Sequence, residues 1–202
     1  MREAILHLKQ SDPVIAAIIA RVGKYAIEFR EPEFQTLVRS IVYQQLNGKA
    51  AATILGRLLA ALPDARLTPE AILALEPEQM RAVGLSKQKT AYIRDLAERT
   101  RAGELDFTRL PDMTDEEVIE TLTRVKGVGV WTAHMFLIFA LRRPNILPTG
   151  DLGVRSAIRK AYRMRELPKP ARIEKLAKRW HPYCSVVAWY LWRSVDGDAE
   201  LG

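Results

Sequence analysis

Apolar residues recur along this chain at intervals of three and four, and no convincing stretch alternates apolar with polar. Val14, Ile15, Ile18, Ile19 and Val22 mark a first amphipathic helix, which Asp12 and Pro13 open as cap and first helical residue. Phe34, Leu37, Val38, Ile41 and Val42 mark a second; Asn47-Gly48 separates it from a third through Ala50 to Leu62, which Pro63 ends. Short helices follow from Pro69 to Leu75 and from Pro77 to Val83. Ser86 then caps a longer one through Thr100. Thr114 with Glu117 three positions on forms a capping box for the next helix. Further helices are expected near Trp131 to Leu141, Leu152 to Tyr162, Pro170 to Trp180 and Pro182 to Val195. The pattern predicts an all-α protein.

At 202 residues and 48% hydrophobic content, the chain can bury a sizeable core as one large domain or two small lobes. Lysine and arginine total 31 against 24 acidic residues, a net charge of +7. The sequence pI is about 9.7. This balance suits a polyanionic partner, although many solvated surfaces are as basic. The single cysteine, Cys184, excludes an internal disulfide framework and a four-cysteine iron-sulfur cluster, and reads as an apolar core residue in a reducing compartment. His7, His134 and His181 have no metal-ligand spacing with it, and no phosphate-loop signature is present. The N-terminus shows no secretory leader, and no apolar run reaches membrane-spanning length. A cytoplasmic, nucleoid-associated protein without membrane contact is the expectation.

The most specific pattern is Lys126-Gly127-Val128-Gly129-Val130-Trp131-Thr132-Ala133, followed by the loop Leu147-Pro148-Thr149-Gly150-Asp151. The first segment reads as a helix ending at Val125-Lys126, a two-glycine turn and a second helix opening at Val130. Both glycines are expected to meet a need for positive φ and close backbone approach. Such a turn aims backbone N–H groups and a helix dipole at an anion. Together with Ile41 to Leu46, Arg179-Trp180-His181-Pro182-Tyr183 and the run Trp189 to Trp192, these segments resemble the helix-hairpin-helix, Gly/Pro-rich loop, Asp superfamily of DNA glycosylases. The 3-methyladenine DNA glycosylase II type is the nearest pattern, and the resemblance spans residues 34 to 195.

The resemblance implies a two-lobed helical bundle with a DNA-binding cleft between the lobes. One lobe takes in residues 1–30 and 136–202, the other 31–135 with the hairpin near 115–135. It implies that Gly127, Val128, Gly129 and Thr132 grip the DNA backbone. Carbonyls of Thr123, Val125 and Val128 would hold a structural sodium or potassium ion, and no other cofactor is implied. Asp151 corresponds to the family's carboxylate, which stabilises positive charge on the sugar as the glycosidic bond breaks. As an N-cap of the helix from Leu152 it also has a credible structural reading, compatible with the first, and the resemblance favours catalysis. Trp131 stands where bifunctional members place a Schiff-base lysine, so no lyase step is implied. With Trp192 and Met135 it would form the base pocket, a tryptophan face adding roughly 0.5–2 kcal/mol for a cationic base. Trp180 and Trp189 read as core. Gln45, with Leu46 as substitute, corresponds to the wedge that fills the gap in the duplex; Lys87 and Lys89 at a helix start could clamp a second phosphate.

The implied activity is monofunctional removal of alkylated bases from double-stranded DNA by a monomeric enzyme, leaving an abasic site. The alternative is a non-catalytic helix-hairpin-helix module that binds the DNA backbone. Asp151, Trp131 and Trp192 discriminate, because a binding module needs neither an anion facing DNA nor an aromatic pocket. Removal of oxidised or mismatched bases would keep the fold and change the pocket.

Overall fold

Local chemistry sets where many of this chain's helices begin, through side-chain caps such as Asp12, Asn47, Thr68, Ser86, Thr114 and Asp151. The computed structural model describes residues 1 to 196 and, among them, twelve α-helices, two single turns of 3-10 helix and no strand. The all-α expectation is met. Residues 197 to 202, which the sequence reading assigned to the first lobe, lie outside the described residues. The chain divides into two units, one of residues 1–29 with 142 onward and one of residues 30–141.

The first unit comprises α1 (Arg2–Ser11), α2 (Pro13–Val22), α10 (Leu152–Ala161), α11 (Pro170–Ala177) and α12 (Cys184–Asp196). Asp12 caps α2 as the sequence indicates, its Oδ1 accepting from the Val14 and Ile15 amides at 2.9 and 3.4 Å. The fully buried carboxylate does more than that. Its Oδ2 accepts from the Tyr162 hydroxyl at 2.6 Å and the Trp180 indole at 2.9 Å, tying α2 to the ends of α10 and α11. Burial, and then the bond to Asp12, push the Tyr162 hydroxyl above its ordinary range. Leu8, Ile15, Ile158, Ile173, Trp180, Cys184 and Leu191 fill the core. Both Trp180 and Trp189 are buried, and Cys184 is an inert thiol that burial pushes up to about 12. Helix α1 was not anticipated: it buries only Ala4 and Leu8 and lacks a side-chain cap, so its apolar stripe is too thin to read.

The second unit runs through α3 (Phe34–Tyr43), α4 (Gly48–Ala60), α5 (Pro69–Ala74), α6 (Pro77–Ala82), α7 (Lys87–Arg101), α8 (Asp115–Thr123) and α9 (Val130–Phe139). Asn47, Thr68, Ser86 and Thr114 each accept a backbone N–H at a helix start, Thr114 within the expected capping box. Leu37, Ile41, Leu58, Ile72, Met80, Ile93, Leu96 and Leu122 are fully buried. Several boundaries differ from the sequence reading; α11, for one, ends at Ala177, short of Trp180, and two others bear on residues singled out in the sequence. Helix α3 ends at Tyr43, which leaves Gln44 to Leu46 in a turn, and α8 ends at Thr123, two residues before Val125.

Candidate nucleic-acid interface and carboxylate

The hairpin turn between α8 and α9 is built on Gly127. Its φ is +77°, and a Cβ there would stand 2.1 Å from Cδ2 of Tyr92, so both the left-handed backbone and the approaching ring require glycine. Gly129 is different. It has φ −96° and open space around its Cβ position, which corrects the expectation that both glycines turn the chain. Gly129 is the N-cap of α9 and provides no side-chain cap bond. The first-turn amides of Val130, Trp131 and Thr132 precede any helical acceptor, so this end has the character of an anion site.

Three side chains hold the turn in place. Asp95 on α7 is buried, accepts from the Lys126 amide at 2.9 Å and from Arg99 Nε at 3.0 Å, and pairs with Lys126 Nζ at 3.3 Å. Burial alone would raise this carboxyl. The Lys126 amide and the Arg99 guanidinium outweigh it and hold the group below its ordinary value. Gln44 donates to the Gly127 carbonyl at 3.0 Å. Lys89 donates to the carbonyls of Val42 and Gln44 at 2.7 and 2.6 Å, and burial of the ammonium lowers its pKa. Lys89 therefore closes the end of α3 as well as lying near the surface expected to meet a phosphate.

These elements line a cavity of about 750 Å³ in the second unit. Trp131, Thr132, Met135, Gly127, Gln45 and Lys89 of the sequence-derived set lie on its wall; Lys87, Leu46, Val128 and Gly129 do not. Trp131 is half exposed, large for an indole with no need to face solvent. Thr132 is buried at 5%. Gln45 is exposed with φ +56°, at a turn and not on a helix. Leu46 is also exposed. Tyr43, with the Arg39 guanidinium 4.1 Å above its ring centroid, and Tyr92 share the wall and were not anticipated. Their helical spacing marks them only as partly buried.

In the first unit, the Gly/Pro loop delivers Asp151. The Asp151 amide donates to the Pro148 carbonyl at 3.0 Å, a tight turn that sets the residue at the N-cap of α10. Ser185 fixes the start of the loop, donating to the Arg143 carbonyl at 2.6 Å and accepting from the Ile146 amide at 2.9 Å. Asp151 is 8% exposed. Its Oδ1 accepts from the Val154 amide at 2.7 Å and from Trp192 Nε1 at 2.8 Å. The capping reading of Asp151 is thus correct as it stands, and the same geometry holds a carboxylate in poorly solvated surroundings, suited to stabilising a nearby cation. Trp192, taken from sequence as a pocket aromatic, is also an indole donor to Asp151.

Among the described residues no group of three or more His, Cys, Asp or Glu side chains could hold a metal. The carbonyls of Thr123, Val125 and Val128 are a different kind of donor set, neutral and of the sort that suits a monovalent ion. Thr123 lies in the last turn of α8, where carbonyls lack helical partners, and the Val125 carbonyl accepts from the Val128 amide at 3.1 Å with one lone pair.

A family model for the HhH-GPD superfamily base excision DNA repair protein matches residues 38–182, which include the hairpin, the loop and Asp151. DNA-3-methyladenine glycosylase 1 of Schizosaccharomyces pombe is 33% identical over 200 residues, covering 96% of this chain and 87% of the relative. The structure of a 3-methyladenine DNA glycosylase from that yeast in complex with abasic DNA superposes with a TM-score of 0.85 at 33% identity, covering 96% of each chain. A DNA-3-methyladenine glycosidase from Bacillus halodurans superposes with a TM-score of 0.88 at 36% identity, over 98% of this chain and 91% of the other. With hairpin, loop and carboxylate all inside the matched segment, the chain belongs to the HhH-GPD superfamily of base excision DNA repair proteins.

Proposed function

We infer that the protein is a DNA glycosylase of the 3-methyladenine type, which rotates an alkylated nucleotide out of double-stranded DNA and hydrolyses its glycosidic bond. The observation that carries this reading is Asp151, a nearly buried carboxylate at the head of a helix, in a chain whose hairpin opens α9 at Gly129 without a side-chain cap. A base within a duplex is out of reach, so the nucleotide must leave the stack. The Gly129 to Thr132 amides hold the backbone beside it, and Gln45 or Leu46 fills the gap. A sodium or potassium ion on the Thr123, Val125 and Val128 carbonyls would add positive charge near the held phosphate.

Trp131 gives the extruded base a π face, with Met135 one turn behind it. An alkylated purine such as 3-methyladenine is cationic, so stacking on that face adds attraction and the base is already a good leaving group. No general acid is then needed. As the C1′–N bond lengthens, positive charge gathers on the sugar and Asp151 stabilises it, while water completes the hydrolysis to an abasic site. Position 131 carries no amine, so strand cleavage through a Schiff base is absent. The enzyme acts as a monomer.

The test is base release from methylated duplex DNA, with the free bases identified chromatographically. Release of 3-methyladenine with intact abasic strands is expected. Tight duplex binding with no base released from any alkylated substrate would leave a binding module in its place.

A further inference from the structure

We propose that Trp192 and Gly153 are positioning residues that set the catalytic carboxylate: Trp192 as hydrogen-bond donor, Gly153 as the gap that lets the indole reach it. This rests on the reading of Asp151 given above.

Trp192 projects from α12 and donates Nε1–H to Asp151 Oδ1 at 2.8 Å, where the Val154 amide also donates at 2.7 Å. Two donors converging on one oxygen fix the plane of the carboxylate. A tryptophan acting only as a stacking surface has no need of this bond. A phenylalanine or tyrosine would supply the face without an N–H at that point.

Gly153 completes the arrangement. Its φ lies outside the left-handed range, so backbone freedom does not explain the glycine. Space does. A Cβ at 153 would lie 3.0 Å from Trp192 Cδ1, 3.1 Å from Asp151 Oδ1 and 3.4 Å from Trp192 Nε1. Any side chain would press into the hydrogen bond itself. The second residue of α10 is kept bare so that the indole of α12 can lie against the head of the helix.

Three variants separate the roles. Trp192→Phe keeps an aromatic face and deletes the donor; Gly153→Ala inserts one methyl group at the bond; Asp151→Asn tests the carboxylate. Single-turnover base release at saturating enzyme should fall about tenfold or more in Trp192→Phe, the loss of a hydrogen bond to a charged group. Gly153→Ala should fall severalfold, and both should bind a duplex carrying an abasic-site analogue within about twofold of wild type. In ¹⁵N-labelled protein the indole resonance missing from Trp192→Phe should shift in Asp151→Asn and in Gly153→Ala. The other three indole resonances serve as a fold control. Full-rate Trp192→Phe alongside an inactive Asp151→Asn would overturn the positioning role and leave the carboxylate reading standing. Full-rate Asp151→Asn would instead remove the carboxylate reading. An unshifted Trp192 resonance in Asp151→Asn would show that the hydrogen bond does not form in solution.

Discussion

Replacing Gly127 by alanine isolates the strain on which the hairpin is built. The new methyl group would be placed in a backbone with φ +77°, which costs an L-residue about 1–2 kcal/mol. It would also arrive 2.1 Å from Tyr92 Cδ2, 2.3 Å from Cε2 and 2.5 Å from Cγ. The whole ring must retreat by about 1.5 Å to restore ordinary carbon contact, an overpacking cost of roughly 1–3 kcal/mol. Together the two effects amount to about 2–5 kcal/mol, which lowers the melting temperature by roughly 5–20 °C for a chain of this size. Gly129→Ala is the matched control, because its Cβ meets nothing within 4 Å and its φ of −96° suits any residue. It should cost about 1 kcal/mol or less, as an N-cap change. It should nevertheless weaken duplex binding about tenfold, since the methyl group stands at the head of α9 where the phosphate is expected. Thermal denaturation and fluorescence anisotropy with a labelled duplex read both effects. Equal melting temperatures for Gly127→Ala and wild type would refute the reasoning about Tyr92.

Asp95→Asn should destabilise the protein at neutral pH by about 1–3 kcal/mol, because the Lys126 amide and Arg99 lose their charged acceptor. The folded Asp95 carboxyl lies below its ordinary value of 3.8, so its stabilisation is complete above that value and is lost as pH falls through the folded pKa. Urea melts below pH 4 should therefore converge for variant and wild type, and a gap that widens there would reverse the assignment. Lys89→Met should weaken duplex binding more than Lys87→Met, because Lys89 also closes the α3 turn that carries Gln45; equal losses measured by anisotropy would reduce both to simple charge. Borohydride should not trap the wild-type protein on DNA, and efficient trapping would mean that a lysine elsewhere serves as the amine.

The helices with side-chain caps were legible because each cap is a local matter of two or three residues, as at Asp12, Ser86 and Thr114, whereas uncapped α1 was not. The hairpin, the Gly/Pro loop and Asp151 were legible as a motif. What sequence did not carry is the set of supports that cross the fold. Asp95 looks like one of the charges on a solvated helix, yet it is buried beneath a turn thirty-one residues away. Gly153 reads as an ordinary weak spot in α10, and only the indole arriving from α12 explains it. Gly129 shows the opposite error. Its place in a glycine pair suggested a turn requirement that Gly127 alone fulfils, because a short motif does not say which glycine bends the chain and which keeps a surface clear.

The central claim is that Asp151 supplies the charge that lets the glycosidic bond break. Single-turnover release of 3-methyladenine from methylated duplex, by wild type and Asp151→Asn under enzyme excess, tests it most directly. The asparagine keeps an oxygen for the Val154 amide and removes the anion, so the variant should fold and bind DNA while release slows on the order of 10² or more. A folded, DNA-binding Asp151→Asn protein that releases the base at near the wild-type rate would contradict the account.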